Sequence, residues 1–281
     1  MKQLFHFFAP CPRGLEGVLA QELAELKADG IKATDGGVGF SGSMQTMMRV
    51  NLHSRIASRV LWKLVEKPYR CEDDLYRLAR DLEWPDLFAL ENTIKVGVTA
   101  VRAPIKSPEF VALRIKDGLC DRFRLKTGSR PSVDTQEPDM RIQLYLTDRM
   151  ASIYLDTSGE ALFKRGYRRE AGDAPLRENL AAGVLALTGW QPGQAFYDPM
   201  CGSGTFLIEA AQKARNIAPG MRRSFAFQQF KMFDAAGWDK LRIEAKAREN
   251  SDAFALFGSD VSSTALAHAQ ANLEAAGVAD T

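Results

Sequence analysis

This sequence predicts an α+β region of about 170 residues followed by the first part of a parallel α/β domain, on three observations. Helix-period and strand-period patterns alternate irregularly up to residue 170. Ile142, Leu144 and Leu146 alternate with polar residues, and Ala151 to Leu155 return after Asp148-Arg149, which is the pattern of an antiparallel hairpin. From Gln194 a short strand, a glycine loop and a helix follow one another, and Ala253 to Ala276 repeat strand and helix.

The elements follow in order. Met1 to Pro10 reads as a first strand; it is short, broken by His6 and closed by prolines, so it does not fit a signal peptide. Gly14 to Asp29 places Leu15, Val18, Leu19, Leu23 and Leu26 on one helical face, with Gly30 as its stop. A strand at Val38 to Phe40, a helix at Ser43 to His53 and a strand at Arg59 to Val65 complete a small first domain, bounded at 1–66. The second domain, 67–170, takes a helix at Glu72 to Arg80 and a strand at Thr93 to Val101. Ser107 at the N-cap and Pro108 at the first helical position open a long helix that Gly128 ends, with Ala112, Ile115, Leu119 and Phe123 as its buried stripe. In the third, 171–281, Leu176 to Leu187 is a helix buried through Leu180, Val184 and Leu187. A helix from Thr205 to about Arg215, a basic and aromatic insert from Asn216 to Trp238, and a charged helix from Asp239 to Asn250 lie between the two parallel strands.

Composition narrows the function classes. Hydrophobic content of 46% and charged content of 26% over 281 residues describe an ordinary globular chain. No apolar run approaches the roughly 18 residues of a membrane span. Cys11, Cys71, Cys120 and Cys201 are far apart, and His6, His53 and His268 are scattered. Neither a disulfide framework nor a metal-ligand spacing is present, and a reducing cytoplasm is the expected compartment. The net charge of +2 is uninformative, but Val101 to Glu170 holds 14 basic against 10 acidic residues.

The chemistry concentrates at Asp198-Pro-Met-Cys-Gly-Ser-Gly-Thr205. Asp198 ends a strand, at the carboxyl edge where open α/β sheets hold ligands. Gly202 and Gly204 permit positive φ and close backbone approach, and the helix from Thr205 offers unpaired N–H groups and a partial positive charge. Asp260 ends the next strand, where a carboxylate can accept both hydroxyls of a ribose. A dinucleotide fingerprint would want glycine or alanine where Leu207 stands, and the Gly-Lys-Ser/Thr of a phosphate loop is absent. The bland alternative makes Asp198-Pro199 a simple turn and Asp260 a helix cap. Cys201 has no histidine near it in sequence and is not expected to act as a nucleophile.

Asp198-Pro-Met-Cys-Gly-Ser-Gly-Thr-Phe resembles motif I of class I S-adenosylmethionine-dependent methyltransferases, in the form found in THUMP-domain RNA methyltransferases. Ser107 to Arg130, Asp156-Thr-Ser-Gly-Glu160 and Lys164-Arg-Gly-Tyr-Arg168 resemble the THUMP module and its exit, and Ala174 to Ala182 the helix before motif I. The resemblance, closest to the RlmL-like type that methylates guanine N2 in 23S ribosomal RNA, covers nearly the whole chain. It implies a ferredoxin-like domain, a THUMP domain and the first part of a Rossmann-like methyltransferase domain. S-adenosylmethionine is then the cofactor, held by Asp198, Met200, Cys201, Gly202, Ser203, Gly204, Thr205 and Asp260. The family's Asn/Asp-Pro-Pro-aromatic signature is not found in these residues, so no catalytic residue is assigned and the chain is expected to stop short of it.

RNA, ribosomal RNA above all, is the expected partner. Lys106, Lys116, Arg124 and Arg130 cluster on and around the long helix, and Lys164, Arg165 and Arg168 form a second patch in which Tyr167 could stack on a base. Asp117 and Asp121 leave open that the first cluster is a solvated helix face. Arg222 and Arg223 are a further candidate, although Phe225 and Phe227 beside them read as core. Two other readings stay open at this level: an RNA-binding module without catalysis, and an exocyclic-amine methylase for transfer RNA or for adenine in DNA.

Overall fold

The computed structural model describes residues 4–105, 107–169, 175–252 and 254–280. Its elements begin with β1 (Phe5–Pro10), α1 (Glu16–Glu25), β2 (Asp29–Thr34), β3 (Gly37–Gly42), α2 (Met44–His53) and β4 (Leu61–Pro68). Then come α3 (Glu72–Arg80), α4 (Trp84–Leu87), β5 (Ile94–Ala100), α5 (Pro108–Thr127), β6 (Met140–Leu146) and β7 (Met150–Asp156). The last are α6 (Glu178–Leu187), β8 (Phe196–Asp198), α7 (Thr205–Ala214), α8 (Ala235–Ala247), β9 (Leu256–Gly258) and α9 (Ser263–Ala276). They divide into two compact units. One holds Met1–Phe8, Val60–Gly159 and Phe225–Ala235; the other holds Ala9–Arg59, Glu160–Ser224 and Ala236–Thr281.

In the first unit five strands run in the order β1-β4-β7-β6-β5, antiparallel except for β5 beside β6. The expected alternation buries Ile142, Leu144 and Leu146, and Tyr145 on the opposite face is exposed. Helix α5 starts as its sequence dictates: the Phe110 amide donates to Ser107 Oγ at 3.1 Å, Pro108 follows, and Gly128 closes it at φ +79°. Its buried stripe runs through Val111, Ile115, Leu119 and Phe123; Ala112 is only half-buried, one position off the expected face. Phe225 and Phe227 stack at 5.2 Å in this unit and are buried, so these two aromatics are core as anticipated.

The second unit contains the glycine loop. Strands β8 and β9 pair in parallel, Phe196 with Leu256 and Asp198 with Gly258, and α7 and α9 follow them. Three expectations change here. Helix α1 ends at Glu25, Lys27 turns the chain with φ +60°, and Gly30 lies at an irregularity in the β2–β3 ladder rather than stopping a helix. Helix α6 buries Ala181, Ala182 and Leu185, whereas Leu187 is 62% exposed and Leu180 and Val184 are half-buried. The reason is close packing, since Gly183 leaves no room for a side chain against Leu15, and small residues therefore define the inner face. Helix α8 begins at Ala235, four residues before the charged run that marked it in sequence.

Candidate cofactor site

The loop after β8 is stitched backbone to backbone. The Ser259 amide donates to the Asp198 carbonyl and the Cys201 amide to the Ser259 carbonyl, both at 2.9 Å, extending the β8–β9 pairing into the loop. The Gly204 amide then donates to the Cys201 carbonyl at 2.8 Å, which closes a tight turn. That turn needs Gly202 at φ +53° and Gly204 at φ +80°, where most side chains are strained. A Cβ on Gly204 would also stand 3.2 Å from Ala269 Cβ, so α9 packs directly on the glycine.

Both strand-end carboxylates attend this loop. Asp198 Oδ1 accepts the Met200 amide at 3.1 Å, and Asp260 Oδ2 accepts the Gly202 amide at 2.9 Å. Asp260 Oδ1 also accepts the Ser262 amide at 2.9 Å, just before Ser262 Oγ caps α9 through Ala265. These amide bonds hold the Asp260 carboxyl below its ordinary range, Ser262 contributing most and Gly202 next. Asp260 is therefore both a turn-maker for α9 and a clasp on the glycine loop, and each oxygen keeps a second lone pair.

A cavity of about 360 Å³ opens on the loop, lined by Asp198, Met200, Ser203 and Thr205 on one side and by Thr264 and His268 of α9 on the other. A carboxylate, two hydroxyls and an exposed thioether lie together around a glycine turn, a few polar groups on the wall of a cavity. Met200 is 82% exposed at the edge of this cavity. Cys201 is buried, and burial first, then the charges of Asp198 and Asp260, raise its thiol above the usual range. A thiolate is disfavoured there, which agrees with a loop role rather than a nucleophilic one. Among the described residues no cluster of His, Cys, Asp or Glu could hold a metal ion.

The second basic patch dissolves on inspection. Arg165 is 3% exposed and unavailable to a phosphate; its Nε donates to Glu209 Oε1 at 3.3 Å, and its other nitrogens donate to the carbonyls of Leu162 and Arg55, both at 2.6 Å. Tyr167 is 2% exposed and packs with Ile208 and Ala276, so it cannot stack on a base. Arg168 turns toward the glycine loop, donating to Ser203 Oγ at 3.2 Å and Thr205 Oγ1 at 3.1 Å. Of the four cations in this run only Lys164 and Arg169 are exposed, and Lys164 pairs with Glu160 at 2.6 Å. Glu209 carried a signal for this outcome: an acid set among Leu207, Ile208, Ala210 and Ala211 demands a buried cation.

The α5 cluster keeps its place on the surface. Arg124 and Arg130 are exposed, Arg124 pairing with Asp121 at 3.0 Å, and Lys116 is half-exposed beside Asp117 at 2.7 Å. Lys106 lies outside the described residues. Arg223 donates to the carbonyls of Glu160 and Ala161 at 2.5 and 2.6 Å, which makes it a brace. No helix among the described residues is long and apolar enough to cross a membrane, and all four cysteines are free thiols.

Known proteins of the same build clarify the family. Residues 6–61 match the RlmL ferredoxin-like domain, 69–156 the THUMP domain, and 165–281 the RMKL-like methyltransferase domain. Ribosomal RNA large subunit methyltransferase K/L of Aeromonas hydrophila is 42% identical over 278 residues, 97% of this chain and 39% of that protein. The chain thus spans about two fifths of the length of that relative. Among solved structures, a predicted N6-adenine-specific DNA methylase from Listeria monocytogenes matches with TM-score 0.90 at 30% identity, over 99% of this chain and 73% of that one. A putative methyltransferase complexed with SAH matches with TM-score 0.89 at 32% identity, over 100% of this chain and 74% of that one. The chain belongs to the family that joins RlmL ferredoxin-like and THUMP domains to an RMKL-like methyltransferase domain.

Proposed function

We propose that this chain carries the cofactor site and the RNA-gripping surface of an S-adenosylmethionine-dependent RNA methyltransferase, acting on the exocyclic N2 amine of a guanine in 23S ribosomal RNA. Its parts are a ferredoxin-like domain (1–66), a THUMP domain (67–170) and a Rossmann-like methyltransferase segment (171–281). The single observation that carries the reading is a glycine turn beside a cavity of nucleoside size that Asp198 lines, with Asp260 outside that lining but clasping the turn through the Gly202 amide. The resemblance to a methyltransferase complexed with SAH supports the cofactor, and the THUMP match with the ribosomal RNA relative supports the substrate.

The bound donor would supply an electrophilic methyl group on its sulfonium. Asp198 would face the ammonium of its amino-acid tail, and the first amides of α7 its carboxylate. The outward lone pairs of Asp260 would receive the ribose hydroxyls while its inward ones hold the Gly202 and Ser262 amides. Met200, Cys201, Gly202, Ser203, Gly204 and Thr205 shape the wall between them. Lys116, Arg124 and Arg130 would track phosphates, giving affinity without reading sequence. A guanine amine is a weak nucleophile because its lone pair is delocalised into the ring, so placement in line with the methyl supplies much of the acceleration. The Asn/Asp-Pro-Pro-aromatic sequence that holds the amine in related enzymes does not occur in these 281 residues. Free thiols suit a cytoplasmic setting.

The test is transfer of labelled methyl from S-adenosylmethionine to 23S ribosomal RNA by the full encoded protein. Label in guanine N2 is expected. Label in duplex DNA at equal or greater yield would instead support a DNA adenine methylase, and RNA binding with no transfer would reduce the protein to a binding module.

A further inference from the structure

The glycine loop has few side chains with which to hold its own shape, and an open turn with two positive-φ residues would otherwise sample many conformations. Beyond its backbone bonds and the Asp260 clasp, two adjacent residues of the second unit add further restraint. The Arg168 guanidinium donates to four acceptors on two stretches of chain: Leu176 O at 2.9 Å, Glu178 Oε1 at 3.0 Å, Ser203 Oγ at 3.2 Å and Thr205 Oγ1 at 3.1 Å. Next in the chain, the Arg169 amide donates to Asn272 Oδ1 at 2.9 Å, and Asn272 Nδ2 donates to Ser203 O at 3.1 Å. Ser203 is thereby gripped at its hydroxyl and at its carbonyl. Asn272 is 1% exposed and Glu178 is 5% exposed, so these bonds compete with little water.

We propose that Arg168, with Asn272, is a positioning residue that presets the glycine loop for the donor. The inference rests on the cofactor reading above. Arginine suits the task because its planar fork serves several acceptors at once, whereas a lysine ammonium at the same place would satisfy one or two. With four of its five N–H groups engaged, Arg168 shapes the loop rather than binding the ligand itself. Glu178 balances its charge beside the N-terminus of α7, leaving that helix end available to an anionic group.

The experiment is calorimetric titration of S-adenosylhomocysteine into the full encoded protein, its Arg168→Lys and Ser203→Ala variants and the double variant, with thermal unfolding and RNA affinity measured on each. Arg168→Lys is expected to raise Kd about tenfold, roughly 1.4 kcal/mol, well below its unfolding temperature. Ser203→Ala should raise it less, and the double variant should equal Arg168→Lys alone. RNA affinity and its salt dependence should not move. A lowered unfolding temperature with Kd unchanged would overturn the proposal and leave Arg168 a plain structural brace. Weakened RNA binding with a shallower salt slope and unchanged Kd would overturn it in favour of a phosphate-binding role. If the unaltered protein fails to bind the ligand at all, it is the cofactor reading that falls.

Discussion

Two basic runs of similar composition meet opposite fates in this molecule. Along α5, Lys116 and Arg124 lie on a regular helix whose apolar stripe faces inward, and Arg130 follows just past its Gly128 cap, so these cations are left at the surface. Between Lys164 and Arg169 the chain has no regular element, and it threads two of its four cations into the second unit. The difference teaches that a cation's role follows from the acid waiting for it. Glu209 and Glu178 are buried acids that need partners, and Arg165 and Arg168 meet them; the acids near α5 are themselves at the surface.

The largest effect should come from breaking the buried pair. Arg165 and Glu209 side chains are 2% and 0% exposed, and Arg55 approaches the same carboxylate at 3.8 Å. Glu209→Gln would leave two guanidinium groups undercompensated, with an expected loss on the order of 3–5 kcal/mol in denaturant unfolding. A loss comparable to that of a surface variant would mean that the two runs do not differ after all.

RNA affinity sharpens the contrast from the other side. Arg124→Ala with Arg130→Ala should weaken RNA binding several-fold and make the salt slope shallower by about one for each phosphate no longer neutralised. Unfolding of the pair should stay within about 0.5 kcal/mol of the parent for each site, as for exposed positions in general. Unchanged RNA affinity would return α5 to a solvated face.

Thiol chemistry gives a smaller and cleaner comparison between the same two units. Cys71 is exposed at the start of α3, whereas Cys201 is buried with its thiol raised by burial and two carboxylates. Alkylation near pH 7 should modify Cys71 at least tenfold faster than Cys201, as followed by mass spectrometry. Equal rates would show the glycine loop opening freely.

Smallest of all is the pH response of the loop clasp. The folded Asp260 carboxyl lies below its unfolded value, so its contribution is complete above the ordinary aspartate range and fades as pH falls through the lower, folded value. Donor affinity should therefore stay flat from neutral pH down to about 5 and weaken only in stronger acid. An inflection nearer pH 7 would contradict the assignment of this response to Asp260.

How much of this is legible in the sequence depends on whether the determinants are local. Helix α5 is, because Ser107, Pro108 and Gly128 write its ends, and so are β6, β7 and the loop from Asp198 to Thr205. Strand β2 is not: Asp29–Thr34 is polar and almost wholly exposed, so no alternation marks it, and its pairing with β3 alone holds it straight. The inner face of α6 departs from the sequence pattern because tight packing favours Ala181, Ala182 and Gly183 over the larger Leu180 and Leu187. Arg168 escapes sequence reasoning for a similar reason. Its partners Glu178, Ser203 and Thr205 lie 10, 35 and 37 residues along the chain, and sequence composition shows only a cation in a basic run.

The claim on which the rest stands is that the Asp198 turn and Asp260 hold a methyl donor, and titration of S-adenosylmethionine against Asp198→Ala and Asp260→Ala tests it most directly. Each variant should weaken binding by tenfold or more, about 1.4 kcal/mol at least, with the fold retained by circular dichroism. Binding as tight as that of the unaltered protein in both variants would contradict it.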